Sequence, residues 1–395
     1  MKRRIHVWDL PINKIYIQLS PEFREYFFKR IHNHFGSWRL VGDYVGMRRG
    51  DSTICINWRK GMNCYPLSTI LELSETINIS KRIIEENIIE IKYKTKLNKR
   101  GGNSGKSLYN PKFPIKINEY FVEILGHICG DGSIPTKTPH KGIKTIYVNS
   151  QPELIKEFKT FVQDVFGDIE PKCYTRDTIG YRRPNYSLNY PSIISIIILS
   201  VFDYKVDSEM LLPEFISELT NKEKSKFLRA IFDDEGTVYL GTNKRNIKLG
   251  MKPKLVVIGI CNLLRDLDIY PSRIYTPENG MHNIEISGKS NIIKFSQRIG
   301  FKHPIKEAKL KKVINLGWKF ERIPPNETKE KIIGYLDGKD FLSRKQIQNA
   351  LDLTRYVISQ RLLELEEDQI IEKKRIILRD KDKNINIISN MWRLK

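Results

Sequence analysis

Two apolar stretches of the chain are built to one pattern. Tyr120-Phe121-Val122-Glu123-Ile124-Leu125-Gly126-His127-Ile128-Cys129-Gly130-Asp131-Gly132 and Lys226-Phe227-Leu228-Arg229-Ala230-Ile231-Phe232-Asp233-Asp234-Glu235-Gly236 each read as a helix that ends in acid-Gly. Gly126, Gly130 and Ala230 place small residues on one face of these helices, which lets two of them approach closely. Strand-like stretches follow the first motif at 144–149, 172–177 and 181–190, and the second at 237–240, 246–251, 273–276 and 282–287. Each set is accompanied by an amphipathic helix, at 152–158 and at 290–295. From Asp131 to Glu235 is 104 residues, a sensible length for an α/β repeat.

The two ends carry helical patterns of their own. Around Trp38-Arg39-Leu40-Val41 the spacing predicts a helix, then a Gly turn, then a second helix ending in Trp58-Arg59-Lys60-Gly61, with Tyr65-Pro66-Leu67 opening the next. Residues 1–91 thus resemble a repressor-type helix-turn-helix, with Arg48, Arg49, Ser52, Asn57, Arg59 and Lys60 on or beside the recognition helix. Residues 326–395 predict helices at 329–336, 343–351 (Ser343 as N-cap) and 354–365, then strands at 370–378 and 385–392 around a charged turn. That order is similar to a winged helix, with Arg355, Tyr356, Ser359 and Gln360 facing a groove and a wing near Lys383. Winged helices also serve as protein-docking modules. Residues 92–117 form a basic Gly/Lys linker whose Lys94, Lys96, Lys99 and Arg100 suit phosphates or a minor groove. Its Gly-Asn-Ser-Gly-Lys-Ser end has a misplaced first glycine and no preceding strand, which excludes a nucleotide-binding loop.

Composition narrows the class. With 395 residues, 40% of them hydrophobic, the chain can bury a substantial core and is not a disordered basic tail. Its formal net charge is +22, of which residues 1–117 carry +12, residues 118–325 carry +7 and residues 326–395 carry +3. Five cysteines form no CxxC pair and no zinc-spaced cluster, as expected in a reducing cytoplasm. The longest apolar run, residues 193–202, is too short to span a bilayer, and the start has no apolar leader, so no membrane partner is expected. A large positive excess in such a protein points to nucleic acid, because phosphate neutralisation with counterion release supplies affinity.

Against that positive background the two motif acids stand out. A helix dipole disfavours an anion at its C-terminal end, so a carboxylate there calls for a compensating cation. If the two helices pack together, Asp131 and Glu235 meet, and such a pair suits a divalent metal ion. Mg²⁺ takes one or two carboxylates and completes its shell with water and phosphate oxygens.

The paired motifs resemble those of the LAGLIDADG (DOD-type) homing endonucleases of the single-chain, two-motif type, over roughly residues 115–318. The resemblance implies an α+β fold: a pseudo-twofold αββαββα repeat pair at 118–219 and 220–318, flanked here by two small, mainly helical domains of DNA-binding type. It implies strands lying in a DNA major groove and metal coordination by Asp131 and Glu235, with Mg²⁺ as cofactor and Mn²⁺ as substitute. It also implies a basic residue near each scissile phosphate: Lys306 in Pro304-Ile305-Lys306, and Lys205 in Phe202-Asp203-Tyr204-Lys205, where the usual preceding glycine is absent.

Candidates for the DNA face are Lys137, Lys141, Lys144, Tyr147, Asn149, Arg176, Arg182, Arg183, Lys244, Arg245, Lys248 and Arg273. Strand alternation sends every second residue to the other side, so about half of these should face DNA. The expected protein is a monomeric, free-standing, site-specific endonuclease acting on double-stranded DNA with a long target. Two further readings stay open: a sequence-specific regulator that keeps the fold without cleaving, and an RNA-splicing maturase that holds structured RNA. Protein splicing is not expected, because Met1 rather than Cys or Ser begins the sequence and Trp392-Arg393-Leu394-Lys395 lacks a His-Asn ending.

Overall fold

The computed structural model describes residues 3–46, 53–94, 106–135, 143–176, 184–205, 209–241, 245–316, 325–351, 353, 355–380 and 385–395. Two compact units emerge, residues 1–287 with 291–313, and residues 314–395 with 288–290.

The first unit begins with β1 (Arg4–Ile5), β2 (Ile15–Leu19), α1 (Pro21–Phe35), α2 (Trp38–Tyr44), α3 (Thr53–Arg59), β3 (Tyr65–Pro66), α4 (Leu67–Thr76), α5 (Lys81–Glu86), β4 (Ile88–Tyr93), β5 (Leu108–Tyr109) and β6 (Ile115–Lys116). Pro21 opens α1, and Gly36 at φ 77° closes it in a left-handed turn. Helices are present where the pattern put them and outweigh the strands, but a sheet accompanies them. Strands β3-β2-β4-β5 form a four-stranded sheet and β1 pairs with β6. The alternation that builds β2 puts Ile15, Ile17 and Leu19 inward, a short signal between stronger helical ones.

The linker expectation also needs correcting. Residues 108–109 and 115–116 are strands, and Tyr109 exchanges backbone hydrogen bonds with Asp168 at 3.0 and 2.8 Å. Lys94 directly follows β4, with its ammonium 4.9 Å from the Tyr16 ring centre. Lys96, Lys99 and Arg100 lie outside the described residues, as do Arg48, Arg49 and Ser52 of the helix-turn-helix expectation.

Next comes α6 (Glu119–Cys129), β7 (Gly132–Ser133), β8 (Thr145–Asn149), α7 (Pro152–Phe166), β9 (Lys172–Arg176), β10 (Asn185–Tyr190) and α8 (Ser192–Leu199), an αββαββα repeat. The second half follows the same plan with one strand fewer: α9 (Asn221–Glu235), β11 (Gly236–Leu240), β12 (Arg245–Met251), α10 (Lys254–Asp266), β13 (His282–Ser287), α11 (Lys289–Arg298) and α12 (Pro304–Asn315). The fold is mixed α+β. The sheets run β7-β8-β10-β9 and β11-β12-β13. The stretch 273–276, expected as a strand, is reduced to one bridge between Tyr275 and Asn283. The helix following the second hairpin start is α10, so α10 rather than the helix at 290–295 is the counterpart of α7.

Helices α6 and α9 pack tightly because the small residues permit it. A Cβ on Gly126 would lie 2.6 Å from the Phe227 carbonyl oxygen and 2.7 Å from the Ala230 Cβ. Gly126→Ala should therefore lower unfolding free energy by about 1–3 kcal/mol in urea titrations, overriding the roughly 1 kcal/mol that alanine gains in helix propensity. An unchanged or raised stability would mean the helices can separate freely. Between the same helices the buried Glu123 carboxylate pairs with the Arg229 guanidinium, satisfying a charge the apolar interface would otherwise reject.

The second unit contains α13 (Pro325–Leu336), β14 (Leu342–Ser343), α14 (Arg344–Leu351), α15 (Arg355–Glu367), β15 (Ile371–Asp380) and β16 (Ile385–Leu394), with sheet order β14-β16-β15. Ile332, Leu336, Ile347, Ile358, Leu362 and Ile371 make its core. Ser343 caps α14: its hydroxyl accepts from the Gln346 N–H at 3.3 Å while the Gln346 side chain accepts from Ser343 N–H at 2.8 Å. Among the described residues no helix is long and apolar enough to cross a membrane.

Candidate active site at the paired helix ends

Both motif helices end in the same way. Gly132 and Gly236 sit so close to the preceding turn that a Cβ would come within 2.5 Å of Ile128 Cα and 2.4 Å of the Phe232 carbonyl oxygen. Only glycine lets the chain fold straight back from helix to strand there. The residue before each glycine, Asp131 or Glu235, is thereby held at the rim of one cleft of about 480 Å³. Asn149, Asn185, Thr237, His303 and Lys306 also line it.

Four carboxylates converge here with different environments. Asp233 is buried and accepts from the backbone N–H groups of Lys302 (3.0 Å) and His303 (2.9 Å); burial nonetheless pushes it up to about 6. Asp234 stands 104 positions after Gly130, in the equivalent place, and reaches across to the first repeat. Its shielded carboxylate meets His127 Nδ1 at 3.0 Å, the Tyr147 hydroxyl at 2.9 Å, Asn149 Nδ2 at 3.2 Å and the Asp131 N–H at 3.3 Å. Burial alone would lower the His127 imidazole, but the Asp234 carboxylate outweighs it and the pKa rises.

Asp131 and Glu235 face the opening. Asn149 Nδ2 donates to Asp131 Oδ2 at 2.8 Å, whereas no described side chain hydrogen-bonds the Glu235 carboxylate. Dense protein around Asp131, then the charges of Asp234 and Glu235, push its carboxyl up to about 7. Glu235 is raised by burial and by Asp234. Lys306 Nζ lies against the end of α9, donating to the carbonyl oxygens of Phe232 (3.2 Å), Asp233 and Asp234 (3.1 Å). Burial lowers its pKa although the four acids oppose this. It thus answers the unfavourable helix dipole that the sequence pointed to.

These shifts have a consequence for stability. The unfolded chain releases the Asp131 proton near pH 4, but the folded protein holds it to about 7. The folded state therefore binds more protons between those values, and this group costs stability as pH rises through them. Asp131→Asn should raise the melting temperature at pH 8 and leave it unchanged near pH 4; a lower melting temperature at pH 8 would contradict the crowding of charge.

The donor set fits a hard divalent cation: two carboxylates on one cleft, one without a hydrogen-bond donor among the described residues, in a negatively charged pocket. Among the described residues no group of three or more His, Cys, Asp or Glu forms a ready-made cage. An ion there would draw the rest of its shell from water and substrate oxygens.

Other expected site residues fare unevenly. Lys205 does not line the cleft; its ammonium lies 3.6 Å from Asp203. Tyr147 is buried at 0% exposure and Asn149, at 7%, lines the cleft instead of the open sheet face, because odd-numbered positions of β8 point inward. Arg245 shares the core-side parity of Ile247 and Leu249, whereas Lys248 is on the open side. Lys144 and Arg273 are exposed, and Arg176 is opposite Asn185 at the end of β9. Arg59, Lys60, Arg355 and Tyr356 are exposed, and the Ser359 hydroxyl accepts from Arg344 at 3.2 Å. Lys137, Lys141, Arg182, Arg183, Lys244 and Lys383 lie outside the described residues.

Comparison with known proteins agrees with this geometry for one half. Residues 222–300 match the family described as LAGLIDADG-like domain. Among curated proteins of Methanocaldococcus jannaschii, glutamine–fructose-6-phosphate aminotransferase is 28% identical over 285 residues, covering 70% of this chain and 25% of that protein. A probable translation initiation factor IF-2 is 22% identical, covering 82% and 27%, and a replication factor C small subunit is 25% identical, covering 54% and 11%. The chain thus spans about a quarter or less of the length of these relatives. Among solved structures, I-DmoI in complex with DNA and Mn is 15% identical with a TM-score of 0.33, covering 46% of this chain and 96% of that one. Full-length DUF199/WhiA from Thermatoga maritima is 12% identical with a TM-score of 0.37, covering 63% and 90%.

Proposed function

We propose that the chain is a site-specific double-strand DNA endonuclease of the LAGLIDADG homing type that hydrolyses phosphodiesters with Mg²⁺, or Mn²⁺ in its place. The observation that carries this reading is the shared cleft. Two equivalent helix ends deliver one acid each, Asp131 and Glu235, to one negatively charged opening in a protein of net charge +22. Both acids would hold the metal, whose chemistry is Lewis-acid activation of water and stabilisation of the leaving oxygen. Asn149 orients the Asp131 carboxylate, and Lys306 holds positive charge beside the acids, where a scissile phosphate needs it. The open side of each sheet, with Lys144 and Lys248, offers a surface for the duplex, and the winged-helix-like unit is a separate candidate for binding DNA.

The curated relatives support the same conclusion. Proteins named as an aminotransferase, an initiation factor and a replication factor each resemble this chain over only 25%, 27% and 11% of their own lengths. A self-contained element recurring in unrelated proteins fits a nuclease that acts on genes.

A non-cleaving regulator is the second reading, favoured by the Lys306 ammonium being engaged by helix carbonyls rather than free in the cleft. The test is incubation of the full chain with Mg²⁺ and a library of long duplexes. Discrete double-strand cuts are expected. Tight, specific binding without cleavage in Mg²⁺ or Mn²⁺ would establish the regulator instead.

A further inference from the structure

One acidic residue stands on the surface that the proposed function gives to DNA. Strand register places Thr237 opposite Lys248 and Lys248 opposite Glu285. The neighbouring row of Val238, Ile247 and Ile286 is buried, so the Thr237–Lys248–Glu285 row is on the open side of the sheet. Thr237 lines the cleft, so the row runs outward from it.

A carboxylate facing a polyanion is repelled unless it makes a contact of its own, and Glu285 is held in a defined pose. The Tyr275 hydroxyl donates to its Oε1 at 2.8 Å and Asn246 Nδ2 to its Oε2 at 2.5 Å. Lys248 Nζ lies 5.7 Å from the Tyr275 ring centre, on the same side. Burial and the adjacent carboxylate push Tyr275 up to about 12, which keeps its hydroxyl a donor. With about four acceptor sites, a carboxylate that counts Tyr275 and Asn246 among its partners can still accept a further donor.

We propose that Glu285 is a specificity-determining residue that accepts a hydrogen bond from the exocyclic amine of a cytosine in the major groove. This rests on the DNA-binding reading above. Among base edges in that groove, the cytosine N4 amine donates without an adjacent purine N7 acceptor to repel the carboxylate, and acidic side chains pair with it. Tyr275 and Asn246 act as positioning residues for Glu285.

The test is selection of binding sites from a randomised duplex library by the full chain in EDTA, which prevents cutting. The parent should prefer cytosine at one position by roughly ten-fold, and Glu285→Gln should reduce that preference below about two-fold at that position alone. Affinity for random DNA should rise slightly, since a negative charge is removed. Glu285→Ala should show the same single-position loss, which guards against a new contact made by glutamine. A uniform weakening at all positions, or an unaltered preference, overturns the proposal. Enrichment of no site by the parent overturns the DNA-binding reading itself, and this inference with it.

Discussion

Asp131→Asn and Glu235→Gln should each reduce DNA cleavage in Mg²⁺ by about a hundred-fold or more, while DNA binding stays within a few-fold of the parent. Each change keeps the side chain's shape and removes one anionic ligand. Metal-derived charge stabilisation contributes several kcal/mol to a transition state, and every 1.4 kcal/mol or so is ten-fold in rate. Binding should survive because neither acid is needed to attract phosphates; removing a negative charge favours them. The Asn149 amide can still donate to the side-chain oxygen of an asparagine at 131, so the local geometry holds. Cleavage of a linear target and a mobility shift on the same duplex measure the two quantities. Full activity in either variant would place the chemistry away from this cleft. Loss of binding together with cleavage would mean the acids support the fold instead.

Much of this site was legible in the sequence because it is written as repetition. The acid-Gly ends recur 104 residues apart, and their helical context predicted that α6 and α9 meet at Gly126 and Ala230, as they do. What escaped was whatever breaks the repeat. Asp234 takes the place of Gly130, and a pattern search for small residues passes over it as one more acid in Asp-Asp-Glu. Its purpose appears only when the helix pair brings His127, Tyr147 and Asn149 to its carboxylate. Tyr147 and Asn149 depart from the expected surface placement for a related reason. A polar residue on a strand reads as solvent-facing, but here a buried acid makes polar company acceptable inside. Lys205 follows a sequence position without following the geometry: its ammonium is beside Asp203 and it does not line the cleft. The N-terminal sheet was hidden because β2 and β4 are far apart in sequence, and strand pairing across that distance leaves no local trace beyond alternation.

Asp234→Ala should cost about 3–5 kcal/mol of unfolding free energy, because it strips a buried ion pair of one partner and leaves His127 without its carboxylate. Three further donors, on Tyr147, Asn149 and the Asp131 backbone, lose the same acceptor, and alanine offers nothing in exchange. Asp234→Asn should lose less, since its amide oxygen keeps some of these bonds in a side chain of the same size. Urea unfolding at pH 7 measures both variants, and a loss below about 1 kcal/mol for the alanine variant would show that the network carries little. The double-mutant cycle with His127→Ala then isolates the cross-repeat pair: a coupling of about 0.5–3 kcal/mol is expected for groups in direct contact. The same network connects to function through Asn149 and the Asp131 backbone, both of which Asp234 holds. Residual cleavage by Asp234→Ala should consequently fall even at temperatures where the variant remains folded. A variant that is destabilised yet cleaves at the parental rate would separate the two roles, leaving Asp234 as a clasp between repeats and nothing more.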